Sequence, residues 1–510
     1  MRSDPAVLSA RDPGQRAVPL EIDTEEFRRL GHALVDRIAL ALAARPEGPV
    51  TSGAAPPVVR AALGAEQQLP EHGSPAGDAL DHAAEVLLAH SLFNGHPRFF
   101  GYITSSPAPI GMLGDLLAAA VNANVGSWIL GPAATEMEAQ AVRWMAELIG
   151  YDTQCGGVLV SGGNMANMVG FWAARRAAAT WDVRTAGVGA SGVPRLRVYA
   201  SAETHTWVQK AADLAGLGTD SIRWIPTDAT QRMDVAALHQ AIVKDTAARE
   251  RPMMVVATAG TVSTGAVDPL PEIAAVCREY GVWFHVDGAY GGFAARVPGT
   301  PADLRALALA DSVAIDPHKW LYAPLEAGCA LVREPGRLRD AFAYHPPYYH
   351  FGTEALNFVD FGPQNSRGFR ALKVWLGLRQ AGRAGYMRLI SDDIALSEQL
   401  HREVAAHPEL QPLTQNLSIT TFRYVPADLR AGLGTAPVEK HLDALNRELL
   451  DRIQNSGEAF VSNAVIGGIY ALRACIVNFN TRVGDVAALP DIVARIGRAV
   501  DGELRERPAS

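Results

Sequence analysis

Lysine is scarce in this chain, which has only five lysines among its 46 lysine and arginine residues. Arginine is effectively always protonated, so it cannot act as an amine nucleophile at neutral pH. Chemistry that needs a neutral amine therefore has few candidates. Lys210, Lys244 and Lys440 lie in polar, helix-like sequence, and Lys373 lies in an amphipathic stretch that predicts a packed helix. Lys319 is left as the lysine in an unusual setting.

Cysteine and metal-ligand patterns are also poorly represented. The four cysteines include no CxxC pair, and the fourteen histidines include no HExxH pair. Disulfide frameworks and zinc sites both need characteristic spacings, so the sequence favours neither. The cysteines are expected to be free, mostly buried thiols in a reducing compartment. They are Cys155, Cys277, Cys329 and Cys475.

The chain has no long apolar run and no excess of positive charge. The most apolar helix-like segment, residues 110–121, carries Asp115 and is shorter than the roughly 18–20 apolar residues that span a bilayer. A formal net charge of −8 argues against a nucleic-acid-binding surface. With 48% hydrophobic and 20% charged residues, the sequence predicts a soluble globular chain, cytoplasmic by default, with no membrane or nucleic-acid partner.

Short apolar runs alternate with amphipathic stretches from about residue 110 to residue 330. This alternation predicts an α/β fold in which helices cover both faces of a mostly parallel sheet. Ligands bind such sheets outside the carboxyl ends of the strands. The predicted strands are residues 157–160, 196–199, 253–257, 282–286 and 312–315.

Changes in periodicity divide the chain into four predicted segments. A helix is predicted early in the second segment, where apolar residues such as Phe27, Leu30 and Leu34 recur at helical spacing after Asp23 or Thr24, either of which can cap it. The segments are a flexible leader (1–19), an N-terminal helical segment (20–109), a large domain (110–389) and a smaller C-terminal α/β domain (390–510).

Two opposite charges stand at the ends of predicted buried strands. Lys319 follows the run at 312–315, and Asp287 ends the run at 282–286. Pyridoxal phosphate needs such a pair, because its aldehyde forms a Schiff base with a lysine and its pyridinium nitrogen needs a carboxylate. A buried ion pair without chemistry is the alternative, since structural pairs also occupy such positions.

Three further segments follow predicted strands. Ser161-Gly162-Gly163-Asn164 opens a helix, and glycines there let backbone N–H groups approach an anion such as the cofactor phosphate. His205 could stack on a flat ring, although a lone histidine is more often structural. Thr258 could place a hydroxyl near the cofactor, or could cap a turn.

Five motifs together resemble the group II pyridoxal-phosphate decarboxylases, the family of the aromatic-L-amino-acid, glutamate and cysteine-sulfinate decarboxylases. The resemblance runs from about residue 25 to residue 500. In combination the motifs are much more specific than any one alone. They are DPHKW at 316–320, HVDGAY at 285–290, ATAGT at 257–261, RGFRALK at 367–373 and GPAATEME at 131–138.

The resemblance implies the aspartate aminotransferase-like fold, fold type I, in an intertwined homodimer with pyridoxal 5'-phosphate. A mobile loop of the family carries a catalytic tyrosine, which falls on Tyr348, with adjacent Tyr349 as the alternative. The other implied roles are the Schiff-base lysine for Lys319, the pyridinium partner for Asp287, ring stacking for His205 with Ala289 on the opposite face, phosphate contacts for Gly163, Asn164 and His318, and a contact near the ring hydroxyl or its aspartate for Thr258.

The implied activity is α-decarboxylation of an aromatic or other bulky L-amino acid, with release of CO2 and an amine. Two departures leave the substrate open: Asn124-Val125-Gly126 stands where bulky residues are usual, and Asn164-Met165 replaces a commoner hydroxyl–acidic pair. Alternatives are an aldehyde synthase, in which O2 intercepts the reaction, and a decarboxylase of glutamate or 2,4-diaminobutyrate. The DPHKW motif argues against an aminotransferase or a cysteine desulfurase. A non-catalytic binding protein is the remaining alternative.

Overall fold

The computed structural model describes residues 18–345 and 355–506. The chain separates into two compact units, one formed by Met1–Phe93 with Asn455–Gly457 and the other by Asn94–Gln454 with Glu458–Ser510. Most of the predicted leader, and Tyr348 and Tyr349, lie outside the described residues. The three predicted boundaries between segments stay predictions, and the one at residue 390 falls inside a helix.

The described residues of the first unit, from residue 18 to Phe93, form three α-helices. The first begins where Asp23 accepts a hydrogen bond of 2.8 Å from the backbone N–H of Glu26, as expected for an N-cap. Arg37 of this helix lies 3.2 Å from Asp81 of the third. The helices are α1 (Thr24–Ala44), α2 (Pro56–Leu63) and α3 (Ala76–His90).

A seven-stranded sheet forms the centre of the second unit, in the order β1-β7-β6-β5-β4-β2-β3. Both pairings of β7 are antiparallel, and the other neighbours in the sheet run parallel. The five predicted strands are confirmed, whereas β3 and β7 were not predicted. The strands are β1 (Gly156–Val160), β2 (Leu196–Ser201), β3 (Ile222–Ile225), β4 (Arg251–Thr258), β5 (Trp283–Asp287), β6 (Ser312–Ile315) and β7 (Gly328–Val332).

Helices pack against this sheet and build an α/β core, in agreement with the predicted fold class. Every residue of β1, β2, β6 and β7 is buried, as expected for strands covered on both faces. The helices are α4 (Pro109–Val121), α5 (Pro132–Ile149), α6 (Gly163–Ala178), α7 (Val183–Ala186), α8 (Trp207–Leu214), α9 (Val235–Ala247), α10 (Leu270–Tyr280), α11 (Pro335–Phe342) and α12 (Ala371–Ala406).

The C-terminal part contains a smaller antiparallel sheet with the strand order β10-β11-β9-β8. This smaller sheet has its own apolar core, which includes Leu400 of α12. Helix α12 connects the two sheets and bends at Gly382, where φ is 63°. No helix among the described residues is both long and apolar enough to cross a bilayer. The elements are β8 (Leu410–Asn416), β9 (Ile419–Tyr424), α13 (Ala436–Ser456), β10 (Ser462–Ile466), β11 (Ile469–Cys475) and α14 (Val483–Glu506).

Candidate active site

Lys319 lies in a tight turn directly after β6. Its backbone N–H donates to the carbonyl of Asp316 at 2.9 Å, and its Nζ lies 3.0 Å from Oδ2 of the same residue. The Asp316 side chain is 2% exposed and that of Lys319 is 19% exposed. The turn therefore holds a nearly enclosed ammonium–carboxylate pair at the carboxyl end of a buried strand.

His318 is fixed beside this pair. Its Nδ1 accepts a hydrogen bond of 3.1 Å from the N–H of Ala327, and its carbonyl accepts one of 2.7 Å from the hydroxyl of Ser105. Burial lowers the pKa of His318, and the charge of Lys319 lowers it further, against the opposing effect of Asp316. The neutral imidazole is therefore favoured at this position.

Asp287 ends β5, between Thr258 of β4 and Ala314 of β6 in the sheet register. Its Oδ2 accepts a hydrogen bond of 2.8 Å from the indole Nε1 of Trp207, and its Oδ1 accepts one of 3.1 Å from the backbone N–H of Ala289. Two donors thus fix the orientation of a carboxylate that is only 6% exposed.

His205 stands between β2 and α8, where its Nδ1 accepts a hydrogen bond of 3.2 Å from the backbone N–H of Trp207. Burial lowers the pKa of His205, the charge of Asp287 raises it, and that of Lys319 lowers it. The charges of both strand-end residues therefore act on one imidazole. His205, Asp287 and Lys319 therefore lie near one another.

The predicted glycine turn lies beside the same group of residues. Gly162 has φ of 124°, a region that side chains rarely adopt, and Gly163 begins α6. A Cβ on Gly163 would lie 2.6 Å from Oδ2 of Asp316 and 3.0 Å from the Cβ of Ala289. A Cβ on Gly328, at the start of β7, would overlap the backbone of Gly162. The helix N-terminus therefore reaches the site by backbone contacts that need glycine.

Two buried polar atoms in the described part of this site have no hydrogen-bond partner, namely Oγ1 of Thr258 and Oδ1 of Asp316. Such atoms are costly unless a ligand or water completes them. The backbone N–H of Thr258 is itself fixed at 2.8 Å from Oδ2 of Asp268, a carboxyl whose pKa burial raises to about 6. Together with the amine, the carboxylate and the glycine turn, these atoms fit pyridoxal phosphate.

The turn after β6, the end of β5 and the glycine turn thus lie close together, as the sequence predicted. Three other residues make contacts in this site that the sequence did not predict. Trp207 stands two residues after His205, and Asp268 lies in the loop before α10. Nothing in the sequence around either residue indicates a buried hydrogen-bond partner. Asp316 stood inside the DPHKW motif without an assigned role. The predicted site residues in the described part of the chain are Lys319, His318, Asp287, Ala289, His205, Thr258, Gly163 and Asn164.

The other lysines are exposed or engaged with other residues. Lys210, Lys244 and Lys440 are exposed on helices, and Lys373 is buried in α12, where its Nζ lies 3.2 Å from Asp115. The packed helix expected around Lys373 is confirmed. In the described ranges, no cluster of histidine, cysteine, aspartate or glutamate could hold a metal ion.

Two of the recognised motifs meet in a buried ion pair. Arg367 donates to Glu138, to the carbonyl of Leu159 at 2.7 Å and to the carbonyl of Val125 at 2.9 Å. Glu138 also accepts from the backbone N–H of Leu159 at 2.9 Å. The ion pair therefore links the segment around Val125 to β1. The two motifs that contain Arg367 and Glu138 thus have a structural role beside the site.

Comparison with known proteins supplies the family. The pyridoxal-dependent decarboxylase conserved domain matches residues 60–425. The chain is 32% identical to an aromatic-L-amino-acid decarboxylase of Bacillus atrophaeus, over 91% of this chain and 93% of the relative. It is 30% identical to a phenylacetaldehyde synthase of Arabidopsis thaliana, over 91% and 94% respectively.

A solved structure agrees with this relationship. Oryza sativa TDC, determined with PLP and tryptamine, superimposes with a TM-score of 0.86 at 30% identity, over 94% of this chain and 99% of that one. The match extends over both sheets, so the likeness is not confined to the cofactor site. The chain belongs to the pyridoxal-dependent decarboxylase family, and its cofactor is pyridoxal phosphate.

Proposed function

We propose that this decarboxylase acts on an aromatic or other bulky L-amino acid, and releases CO2 and the corresponding amine. The observation that carries the proposal is the convergence of the Lys319 amine and the Asp287 carboxylate at neighbouring strand ends. The named aromatic-L-amino-acid decarboxylase relative supports the substrate class. Pyridoxal phosphate supplies the electron sink for the electrons of the broken Cα–carboxylate bond.

Lys319 and Asp287 would hold opposite ends of the cofactor. The Lys319 amine would hold it covalently, and Asp316 at 3.0 Å provides a counter-ion whenever that amine is protonated and free. Asp287, already oriented by Trp207 and Ala289, would pair with the ring nitrogen. A fixed carboxylate there keeps a positive charge on the ring, which favours the accumulation of negative charge at Cα in the transition state.

The remaining site residues would orient the ring and its phosphate. His205 would stack on one face and contact the substrate carboxylate, and its lowered pKa favours the neutral ring suited to stacking. Ala289 would pack on the other face. Thr258 has a free hydroxyl for the ring oxygen. Contacts to the phosphate would come from Gly163, Asn164 and His318, because backbone N–H groups at a helix start attract anions.

The last step returns a proton to Cα, and we assign it to Tyr348, with Tyr349 as the alternative. The assignment rests on the family resemblance, since both tyrosines lie outside the described residues. A tyrosine that donates this proton promptly gives the amine. An aldehyde product, as the name of the Arabidopsis relative describes for that protein, would indicate that O2 intercepts the reaction first.

The assembly proposed here is a homodimer in the cytoplasm. Helix α4 packs Gly111 and Gly114 against the rest of its unit, but exposes Leu113, Leu116 and Leu117 by more than half of their surface. Such contiguous apolar residues on a helix are typical of a protein–protein contact. The cytoplasmic location is supported by the free cysteines in the described residues.

Release of CO2 from a panel of L-amino acids tests the proposed substrate class. Tryptophan, tyrosine, phenylalanine and 3,4-dihydroxyphenylalanine represent the aromatic class, whereas glutamate and 2,4-diaminobutyrate represent the alternatives. Product analysis for amine, aldehyde and peroxide accompanies each assay. Turnover of glutamate or 2,4-diaminobutyrate alone would refute an aromatic substrate. Release of aldehyde with peroxide, in place of amine, would refute amine release as the reaction.

A further inference from the structure

The indole of Trp207 is the feature that extends beyond the cofactor-binding set. Its side chain is fully buried, and its Nε1–H donates to Oδ2 of Asp287 at 2.8 Å. The residue begins α8, two positions after His205, so the loop that presents His205 also delivers this donor. Residues 205–207 therefore carry both the imidazole of His205 and the hydrogen-bond donor to Asp287.

The hydrogen bonds to Asp287 leave its carboxylate able to accept another. Trp207 donates to Oδ2, whereas the backbone N–H of Ala289 donates to Oδ1 at 3.1 Å. An ionised carboxylate offers about four lone-pair positions, so each oxygen retains one for a ring N–H. A buried carboxylate without donors is instead driven towards its neutral form, because burial penalises charge.

Packing allows the indole little freedom to turn away. The Trp207 ring lies edge-to-face on Phe171, with centroids 6.5 Å apart, and on His285, with centroids 5.6 Å apart. His285 is fixed by hydrogen bonds of 2.7 Å to both Ser312 and Asn167. Burial lowers the pKa of His285 to about 4, so this ring brings no positive charge to Asp287 at neutral pH.

We propose that Trp207 is a positioning residue for the cofactor, one whose indole N–H stabilises the Asp287 carboxylate and aims it so that the shared proton stays on the ring nitrogen. The proposal rests on the proposed role of Asp287. Without the indole N–H, the carboxylate loses one of two fixed donors and competes more strongly for that proton. The ring then carries less positive charge, and the electron sink is weaker.

Trp207→Phe tests the proposal, because it keeps an aromatic ring and removes the donor. A hydrogen bond to a charged group contributes about 1.5–3 kcal/mol, so kcat should fall by roughly tenfold to a hundredfold. KM should stay within about threefold, since the indole is fully buried and its N–H is bound to Asp287. The visible absorbance of the bound cofactor at fixed pH should shift towards the form with an unprotonated ring, and the cofactor dissociation constant should rise.

An isosteric replacement separates the N–H from the shape of the side chain. Benzothienylalanine at position 207 has a sulfur atom in place of the N–H, so it preserves the contacts with Phe171 and His285. It should reproduce the loss of kcat and the spectral change even if Trp207→Phe folds poorly. Trp181 is the matched control, because its indole donates to the carbonyl of Gly187 at 2.9 Å, away from the site, and Trp181→Phe should leave both readouts unchanged.

Two outcomes would overturn the proposal. The first is a benzothienylalanine variant with the parent spectrum and with kcat within about twofold of the parent. The second is full additivity with Asp287→Asn, because residues that act through each other should show strongly non-additive losses. If Asp287→Asn itself keeps the parent spectrum and kcat, the proposed role of Asp287 is at fault, and this result is distinct from a failure at Trp207 alone.

Discussion

Tyr290 and Trp320 stack with ring centroids 4.6 Å apart and an angle of 27° between their planes. Tyr290 lies three residues after Asp287, and Trp320 follows Lys319 directly. The Tyr290 hydroxyl is in turn 2.8 Å from Oγ of Ser418, beside β9 of the small sheet. The loops with the two charged site residues are thus packed on each other and joined to the C-terminal part, and this stack adds to the pairing of β5 with β6 in fixing their spacing.

Lys319→Ala is expected to abolish decarboxylation, because the described residues place no other lysine at a strand end of this site. Cofactor should still bind weakly through its phosphate, without the covalent bond that borohydride traps. Activity and borohydride-dependent labelling measure both effects. Lys244→Ala, on an exposed face of α9, is the control and should match the parent. Near-parental turnover by Lys319→Ala would refute the assignment of the amine.

Asp287→Asn should reduce kcat by at least about two orders of magnitude, on the scale of removing a preorganised charge from a transition state. The amide retains the shape of the carboxylate and can still accept from Trp207, so the fold should persist. Steady-state kinetics and the circular dichroism of the variant provide the measurement. A variant within about fivefold of the parent would remove Asp287 from this role.

Tyr348→Phe should change the product more than the rate of CO2 release. Decarboxylation precedes the proton return, so loss of the hydroxyl prolongs the life of the carbanion-like state and exposes it to O2. Aldehyde, ammonia and peroxide should then replace part of the amine. Tyr349→Phe, measured in parallel, resolves the ambiguity between neighbours. If both variants give amine without peroxide, neither tyrosine is the proton donor.

Arg367→Ala should destabilise the chain by about 3–5 kcal/mol, because it leaves the buried Glu138 carboxylate without its counter-ion. The matched control is Arg495→Ala, which removes an ion pair with Glu458 in which both side chains are about half exposed and should change stability by at most about 1 kcal/mol. Denaturant unfolding compares the two. Adding Glu138→Gln to Arg367→Ala should recover part of the loss, and no recovery would contradict the charge-burial explanation.

Asp393→Asn should alter how stability depends on pH. Asp393 of α12 accepts from Nε1 of Trp320 at 3.0 Å and from the hydroxyl of Tyr322 at 2.8 Å, and burial raises its pKa to about 7. The unfolded carboxyl loses its proton near pH 4, about three units lower. Between these values the folded chain binds more protons than the unfolded chain, so this group's contribution to stability declines as pH rises.

Asparagine cannot titrate and can still accept from both donors. The stability of Asp393→Asn relative to the parent should therefore increase from about pH 4 to about pH 7, and should level off above that range. Thermal unfolding of both proteins across this interval gives the difference, in which the other titrating groups cancel. A difference that is independent of pH would contradict the raised pKa of Asp393.

The sequence was most informative where local pattern and chemistry coincide. Lys319 and Asp287 were predicted to lie together because each charge stands at the end of a predicted buried strand, and parallel strands bring their carboxyl ends to one edge. Strand β3 was missed because Arg223 and Trp224 interrupt its apolar character at the sheet edge. Strand β7 was missed because no helix separates it from β6, so it does not fit the alternation of strands and helices that indicated the others.

Contacts that depend on tertiary structure left no local signal. Trp207 reads as an ordinary apolar residue at the start of a helix, and its bond to Asp287 spans 80 positions in the chain. Asp393 is one of several charged residues of α12, and nothing near it in the sequence indicates its hydrogen bonds with Trp320 and Tyr322. Both side chains bond to partners that only the folded sheet brings within reach.

The close approach of Gly328 to Gly162 has a practical consequence for anyone who wishes to redesign this catalyst. Because β7 meets the glycine turn backbone to backbone, saturation libraries that include either position will consist mainly of inactive clones. Libraries should instead vary side chains near Lys319 on other elements. The backbone of the glycine turn and of the start of β7 therefore allows almost no substitution.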